Sequence, residues 1–536
     1  MAKKSFLTKI RSFSRKVFSK TTLIFFILLL EISAIVALII LFMNSSIFPW
    51  LYIGCEIISI ILMLYLTNSE MDINYRITWL LLVAILPAFG TIAYLLFANK
   101  KFSKKEIKKI MPGLTQLEKV LDDDRTNGVG KNLTPDDGDL FNFGHYLRNH
   151  SFTDVYKNTR TTYYPWGELG FPTMLEKLKS AKHYIFLEYF IIEPGKMWNS
   201  ILNILIKKVN EGLDVRVMYD DLGCIGTLPS NYVKTLRKLG IKCKKYAKLR
   251  PFLDIRMNNR DHRKILVIDG HTGFTGGINL ADEYINEVVR FGKWKDNCIM
   301  LEGDGVFGLT TLFIANWSMC TMNDKNYVHE DEDFEAFNFL PSKYSNEVPP
   351  IHNTSGYVQP YGSLPYIYET VGMNIYELLL LRAKKYVYIS TPYLILNDNL
   401  RNAICQAAKN GVDVRILTPH IPDKKLVFSL TRANYKELVL SGCKVYEYTP
   451  GFVHEKVFVV DDCIATVGTI NLDYRSLFLH CENGVFLYHC DCIKDIKQDF
   501  EDTFLVSTPY TEEDIKNTKT RTKLGRFLLK LIAPLL

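Results

Sequence analysis

Hydrophobic positions are crowded into the first hundred residues. Along 22–43 (TLIFFILLLEISAIVALIILFM) apolar side chains continue with a single interruption at Glu31, and about 20 such residues cross the hydrocarbon core of a bilayer as a helix. The runs 47–66, which contains Glu56, and 77–98, which contains Pro87 and Gly90, have the same character. Proline and glycine are tolerated in membrane helices, and Trp50 and Trp79 stand where interfacial anchors belong. The pattern predicts a membrane anchor over 1–110 with two or three transmembrane helices. The first run is too long for a removable signal peptide and lacks a small-residue cleavage site.

After a linker over 111–145 the pattern alternates between helical and strand periods, and it does so twice. AKHYIFLEYFII (181–192) and NEGLDVRVMYDD (210–221) recur in the same order as AKKYVYISTPYLI (383–395) and KNGVDVRILTPH (409–420). Each second member reads as a helix closed by Gly212 or Gly411 and followed by a β-branched strand. Strand, helix and strand in succession predict an α/β fold of two tandem halves, 146–321 and 359–515, with parallel-rich mixed sheets and pseudo-two-fold symmetry. Between them, 322–358 is a polar linker whose acid run HEDEDFE (329–335) reads as a solvated loop. Residues 516–536 form a basic tail in which Lys523, Arg526 and Lys530 are set among Leu, Ile and Phe, a pattern suited to lying on anionic lipid.

Composition narrows the classes. With 536 residues, 48% hydrophobic and 23% charged, the chain is neither disordered nor fibrous. The net charge of +8 would suit nucleic acid, but the basic residues are gathered in 1–20, 100–109 and 516–530, leaving a net acidic body. The charge therefore points to anionic membrane lipid and against a nuclease. Both amino-terminal basic flanks favour the cytoplasmic side, which an odd number of spans cannot satisfy. Eleven cysteines without a compact framework read as reduced thiols, in keeping with a catalytic body facing the cytoplasm. Cys490 and Cys492 lack a second pair at metal-binding spacing.

The third repeated pair carries the chemistry. HRKILVIDGHTGFTGGIN places His262, Lys264, Asp269, Gly276 and Asn279, and HEKVFVVDDCIATVGTIN places His454, Lys456, Asp461, Gly468 and Asn471 at identical spacing. His and Lys two apart on a strand share a face, so two imidazoles and two ammonium groups can converge on one phosphodiester. One neutral imidazole can attack phosphorus while the other protonates the leaving alkoxide. Lys264, Lys456, Asn279 and Asn471 would hold the phosphoryl oxygens. The scheme requires no metal or other cofactor. A carboxylate should orient each imidazole, with Asp269 and Asp461 candidates by motif and Asp296 and Glu482 candidates by position.

The paired H-x-K-x(4)-D-x(6)-G-x(2)-N motifs resemble the phospholipase D superfamily. With the hydrophobic amino-terminal region, NNRDHRKI (258–265) and NLDYRS (471–476), the chain looks like its bacterial cardiolipin synthase branch. The resemblance covers essentially the whole chain. It implies a membrane-anchored phospholipase D-like fold in a multi-pass protein of the cell membrane. It also implies a reaction: one phosphatidylglycerol gives its phosphatidyl group to a histidine and releases glycerol, and a second phosphatidylglycerol accepts it to form cardiolipin. Phospholipase D hydrolysis and phosphatidylserine synthesis use the same scaffold. The resemblance further implies that Asp269 and Asp461 are structural, tying the halves together, and that Asp296 and Glu482 orient the histidines. Gly277 and Thr469 stand where serine is common after the motif glycine, which puts a hydroxyl contact from the first half in doubt.

Overall fold

The computed structural model describes residues 48–98, 104–121, 123–247, 258–321, 336–343, 351–352, 354–367 and 369–535, together with Ser33. Two units emerge, Met1–Lys101 with Lys248–Met257, and Phe102–Ala247 with Asn258–Leu536.

In the first unit the run 22–43 lies outside the described residues except for Ser33, and Phe48–Thr67 forms one helix. The run 77–98 departs from expectation. Instead of one span it forms two helices, Ile73–Ile85 and Pro87–Phe97, broken at Leu86 (φ −130°, ψ 73°). Pro87 cannot donate to the preceding turn, and its ring drives Leu86 out of the helical region. Among the described residues no helix is long and apolar enough to cross a membrane. Trp79 is not an interfacial anchor but 3% exposed, packed edge-on against Tyr75 and Tyr94. Gly90 allows the close approach, since a Cβ there would stand 2.6 Å from the Leu82 carbonyl oxygen.

The second unit is built on two mixed sheets. In the first half the strands are β1 (Thr159–Tyr164), β2 (Tyr184–Tyr189), β3 (Asp214–Asp220), β4 (Lys242–Tyr246), β5 (Lys264–Ile268), β6 (Thr272–Gly276), β7 (Lys293–Lys295) and β8 (Cys298–Gly303). The second half contributes β9 (Tyr357–Ser363), β10 (Tyr386–Ser390), β11 (Asp413–Pro419), β12 (Lys444–Tyr448), β13 (Gly451–Val453), β14 (Val457–Val460), β15 (Ile464–Gly468), β16 (Glu482–Tyr488) and β17 (Ser507–Tyr510). The orders are β1-β8-β6-β5-β2-β3-β4 and β17-β12-β11-β10-β14-β15-β16-β9, so β5-β2-β3-β4 of one half matches β14-β10-β11-β12 of the other.

The sheets are not parallel-rich. Only β2-β3-β4 and β10-β11-β12 run parallel, and every other pairing within the two sheets is antiparallel. The crossover helices Lys196–Asn210 and Asp398–Lys409 are followed by Gly212 and Gly411 in the left-handed region (φ 93° and 91°), as their spacing predicts. Each motif then enters a tight hairpin, β5-β6 or β14-β15, which forces antiparallel pairing.

Those hairpins explain the motif aspartates. Asp269-Gly270 and Asp461-Asp462 are consecutive left-handed residues, with Asp269 at φ 52° and Asp461 at φ 51°. The Asp269 carboxylate accepts the backbone N–H groups of Lys182, His183 and Tyr184 at 2.8–2.9 Å. Asp461 accepts those of Lys384, Lys385 and Tyr386 at 2.7–2.8 Å. Both aspartates therefore have a structural role. Each ties the hairpin to the start of the parallel strand within its own half, not one half to the other.

A core cluster shared by both halves includes Phe186, Val267, Ile299, Phe313 and Trp317 with Val459, Val485, Leu487 and Phe504. Through it runs the helix Val306–Thr321, apolar on all sides and almost wholly buried. The acid run 329–335 lies outside the described residues. The tail forms a helix, Thr520–Ile532, which docks through Leu529 and the following Ala533 beside Leu430 and Tyr474 while leaving Leu524, Phe527 and Leu528 more than half exposed. All eleven cysteines are free thiols.

Replacing Asp269 or Asp461 by Ala removes an acceptor from three backbone donors. Each change should cost about 2–4 kcal/mol and lower the thermal unfolding midpoint, followed by intrinsic fluorescence. An unchanged midpoint would contradict the structural role.

Candidate functional site

The motif histidines lie just before their strands rather than within them, and each is held by the opposite half. The His262 N–H donates to the Cys481 carbonyl at 2.8 Å, alongside a parallel bridge between Asp261 and Cys481. On the other side, β13 pairs in parallel with β7, and the His454 N–H donates to the Lys295 carbonyl, also at 2.8 Å. Each carbonyl belongs to the residue before a carboxylate. The crossing therefore continues in the side chains. His262 Nδ1 lies 2.9 Å from Glu482 Oε2, and His454 Nδ1 lies 2.7 Å from Asp296 Oδ2. Asp296 and Glu482 thus face the imidazoles, as position and resemblance suggested, each reaching across to the other half.

The motif glycines make this approach possible. A Cβ on Gly276 would stand 2.6 Å from the Asn297 carbonyl oxygen, and one on Gly468 would stand 2.4 Å from that of Asn483, the residues directly after the two carboxylates. The next positions differ. Gly277 leaves room for Asp296, whose Oδ1 would lie 1.9 Å from a Cβ there. Thr469 instead donates its hydroxyl to Glu482, as Ser476 does. No hydroxyl from position 277 reaches Asp296.

The lysines lie deep in the same region, both 1% exposed. Lys264 Nζ donates to the His262 carbonyl at 2.6 Å; Lys456 Nζ donates to the His454 carbonyl and lies 3.0 Å from His454 Nδ1. The residue between His and Lys serves the core. Arg263 pairs with Glu188 at 2.7 Å and Asp261 at 3.0 Å, and Glu455 pairs with Lys295 at 3.2 Å.

The asparagines diverge. Asn279 is committed to protein contacts, accepting from the Ile191 N–H at 3.1 Å and donating to the Tyr284 hydroxyl at 2.7 Å. These contacts fix the orientation of the amide and use one of its two Nδ2 hydrogens. Asn471 keeps a buried Oδ1 without a hydrogen-bond partner. Aromatic rings complete the walls, with Phe190 edge-on to His262 at 5.0 Å and Tyr284 edge-on to His454 at 5.4 Å. Ser476, Tyr284 and His480 are not among the residues that the sequence singles out. Ser476 and His480 do stand within NLDYRS and LHCENG, but only the contact with Glu482 distinguishes them from other polar side chains.

Burial governs the electrostatics. It lowers both imidazoles, His262 to about 3 against the attraction of Glu482, and His454 well below its ordinary value with Lys456 and Lys264 adding to the effect. Burial also lowers Lys264 to about 7 and Lys456 to about 8, despite the nearby carboxylates. Asp296 is raised to about 6 by burial against Lys456. Burial would raise Glu482 too, but the charge and hydrogen bonds of His262, with His480 beside it, hold it well below the carboxylate range. Two neutral imidazoles, two cations ready to lose their charge and two carboxylates behind the rings can receive a phosphodiester, whose negative charge would favour the charged form of both lysines.

These crossed histidine pairs on two mixed sheets place the protein in the phospholipase D class. A family profile described as "Cardiolipin synthase, PLD-like domain" matches residues 174–289 and 377–504, and a "Phospholipase_D-nuclease N-terminal" profile matches 57–99. A cardiolipin synthase of Halalkalibacterium halodurans is 32% identical, over 86% of this chain and 88% of its own. An uncharacterized protein of Streptococcus mutans is 45% identical over 88% of this chain and 99% of its own. Among solved structures, phosphatidylserine synthase of Haemophilus influenzae shares the fold (TM-score 0.54, 16% identity), covering 74% of this chain and all of that one. The chain belongs to the cardiolipin synthase family of the phospholipase D superfamily.

Glu482→Gln and Asp296→Asn keep the shape of each pair but can fix the wrong imidazole tautomer. Each should lower kcat by about 10³–10⁴-fold, by analogy with a serine-protease triad that loses its carboxylate. Because a lysine is charged below its pKa, kcat/KM should fall as pH rises through about 7 to 8, where Lys264 and Lys456 lose their protons. Lys456→Arg, which stays charged, should move that limb to higher pH; a limb identical in both proteins would exclude Lys456 as its source.

Proposed function

We propose that this chain is a phosphatidyltransferase that joins two phosphatidylglycerol molecules into cardiolipin and releases glycerol. The observation that carries the reading is the crossed pairing of two histidines with two carboxylates beside two buried lysines, in a member of the cardiolipin synthase family.

His262, donating its Nδ1 hydrogen to Glu482, presents the Nε2 lone pair to phosphorus. The P–O bond to glycerol breaks as the N–P bond forms, and the glycerol oxygen takes its proton from His454, charged against Asp296. Lys264 and Lys456 offset the charge on the non-bridging oxygens. In the second half-reaction neutral His454 removes the proton from the terminal hydroxyl of another phosphatidylglycerol. That oxygen bonds to phosphorus, the N–P bond breaks, and both imidazoles return to their starting states. The anionic phosphodiester itself favours a protonated His454, offsetting the burial that keeps the ring neutral in the empty site.

Placement in the cell membrane is part of the proposal. Ile53, Ile57, Ile61, Leu64, Ile85, Phe89 and Leu95 are all between about one-half and three-quarters exposed on the amino-terminal helices, an apolar exterior that suits lipid rather than water. On the catalytic unit, Leu524, Phe527 and Leu528 beside Lys523 suit an anionic bilayer surface. Confinement to that surface raises the concentration of the acceptor lipid, and a sheltered site favours its hydroxyl over water.

Purified full-length protein in phosphatidylglycerol vesicles should form cardiolipin and glycerol in equal amounts without a nucleotide-activated lipid. Accumulation of phosphatidic acid alone would support hydrolysis instead. His262→Ala and His454→Ala should each abolish turnover, and substantial cardiolipin formation by either would overturn the two-histidine scheme.

A further inference from the structure

The two half-sites share a backbone plan but differ in one neighbour. Two residues before Asp296 stands Trp294, packed on the His454 ring at 5.6 Å. Two residues before Glu482 stands His480, packed on the His262 ring at 5.7 Å. The His480 side chain is only 13% exposed, and its Nδ1 is buried without a hydrogen-bond partner, 3.6 Å from Glu482 Oε1. That separation is too long for a hydrogen bond. One donor atom from each of His262, His480 and Glu482 lies within 4.8 Å of the other two.

These separations are close to those between the ligands of a metal. Zinc bonds to imidazole nitrogen and carboxylate oxygen at about 2.0–2.2 Å, which places neighbouring ligands of a tetrahedron about 3.3–3.6 Å apart. From Glu482 Oε1, His480 Nδ1 lies at 3.6 Å, within that spacing, and His262 Nδ1 at 3.0 Å, a little inside it. We propose that His262, His480 and Glu482 form an inhibitory site for a borderline divalent cation of the zinc class, confined to the His262 half. Its effect on turnover rests on His262 acting as the nucleophile; the binding itself does not.

Inhibition follows from the imidazole tautomer. In the metal-free site His262 carries its hydrogen on Nδ1, directed at Glu482, and keeps the Nε2 lone pair for phosphorus. Ligation through Nδ1 uses the lone pair at that atom, so the hydrogen moves to Nε2 and the nucleophilic lone pair is lost. Glu482 exchanges its contact with His262 for a metal–oxygen bond while keeping the hydroxyls of Thr469 and Ser476. His480 supplies the lone pair that has no partner in the empty site. A fourth position is left for water or a phosphate oxygen. The other half cannot do the same, because an indole N–H donates and has no lone pair to give. Two imidazoles favour zinc or cobalt over magnesium or calcium.

The test uses full-length protein stripped with a chelator. Added Co²⁺ should give ligand-field absorption bands that Zn²⁺ abolishes and Mg²⁺ does not, and zinc should inhibit conversion of phosphatidylglycerol vesicles. In His480→Asn the cobalt bands should be lost and inhibition should require at least about ten-fold more zinc, while a far-ultraviolet circular dichroism spectrum and a cooperative thermal transition report that the variant is folded. His480→Gln is the second variant, and the shift in thermal midpoint caused by zinc is a readout independent of turnover. Unchanged bands and unchanged zinc sensitivity in both variants would overturn the site, as would absence of bands from an active wild type. Bands that depend on His480 in a protein that forms no cardiolipin would instead leave the site standing and overturn the functional reading.

Discussion

Neither half of the catalytic unit completes its own imidazole. The segment before His262 lies along the strand that delivers Glu482, and the segment before His454 lies along the strand that delivers Asp296. Each crossing has a backbone hydrogen bond and a side-chain pair, so position and tautomer come from the same neighbour. One half alone would keep a carboxylate in a place built for burial without the imidazole that pairs with it, at a cost of several kcal/mol. Assembly of the site and docking of the halves are therefore one event.

The interface around that exchange reinforces it. Alternation along each motif sends His and Lys toward the pocket and the middle residue into the core, where Arg263 meets Glu188 and Asp261, and Glu455 meets Lys295 and, beyond it, Asp499. The Val306–Thr321 helix packs beside the first network, with Asn316 donating to both Glu188 and Asp261. Buried charges of this kind contribute little net stability but penalise any docking that separates them. They help fix the register that carries each histidine to the opposite carboxylate.

Much of this was legible because duplication exposes what a single copy hides. The paired motifs identified both histidines and lysines, and Gly212 and Gly411 marked the helix ends before the repeated strands. Periodicity could not show strand direction, since a buried apolar run reads the same parallel or antiparallel; the left-handed Asp269-Gly270 and Asp461-Asp462 turns decide it. Nor could spacing separate a carboxylate that captures backbone N–H groups from one that meets an imidazole. The break at Leu86 was visible as Pro87, yet proline is common enough in membrane helices to pass as harmless. The crossed pairing and the capture of Asn279 by Tyr284 depend on contacts between segments remote in sequence or on local turns that residue type alone does not specify.

The symmetry is one of scaffold rather than chemistry. Glu482 is surrounded by two hydroxyls and a second imidazole, whereas Asp296 meets Gly277 and a backbone N–H. Correspondingly, Glu482 is held strongly acidic while Asp296 is raised to about 6. In the proposed scheme the carboxylate that keeps its charge more firmly faces the ring that becomes cationic on bonding to phosphorus. The weaker one suits a ring that must both give up and recover a proton within a turnover. The two frames are equal, and a few neighbours, Gly277 against Thr469 and Trp294 against His480, make the half-sites unequal, as the proposed two-step transfer would use.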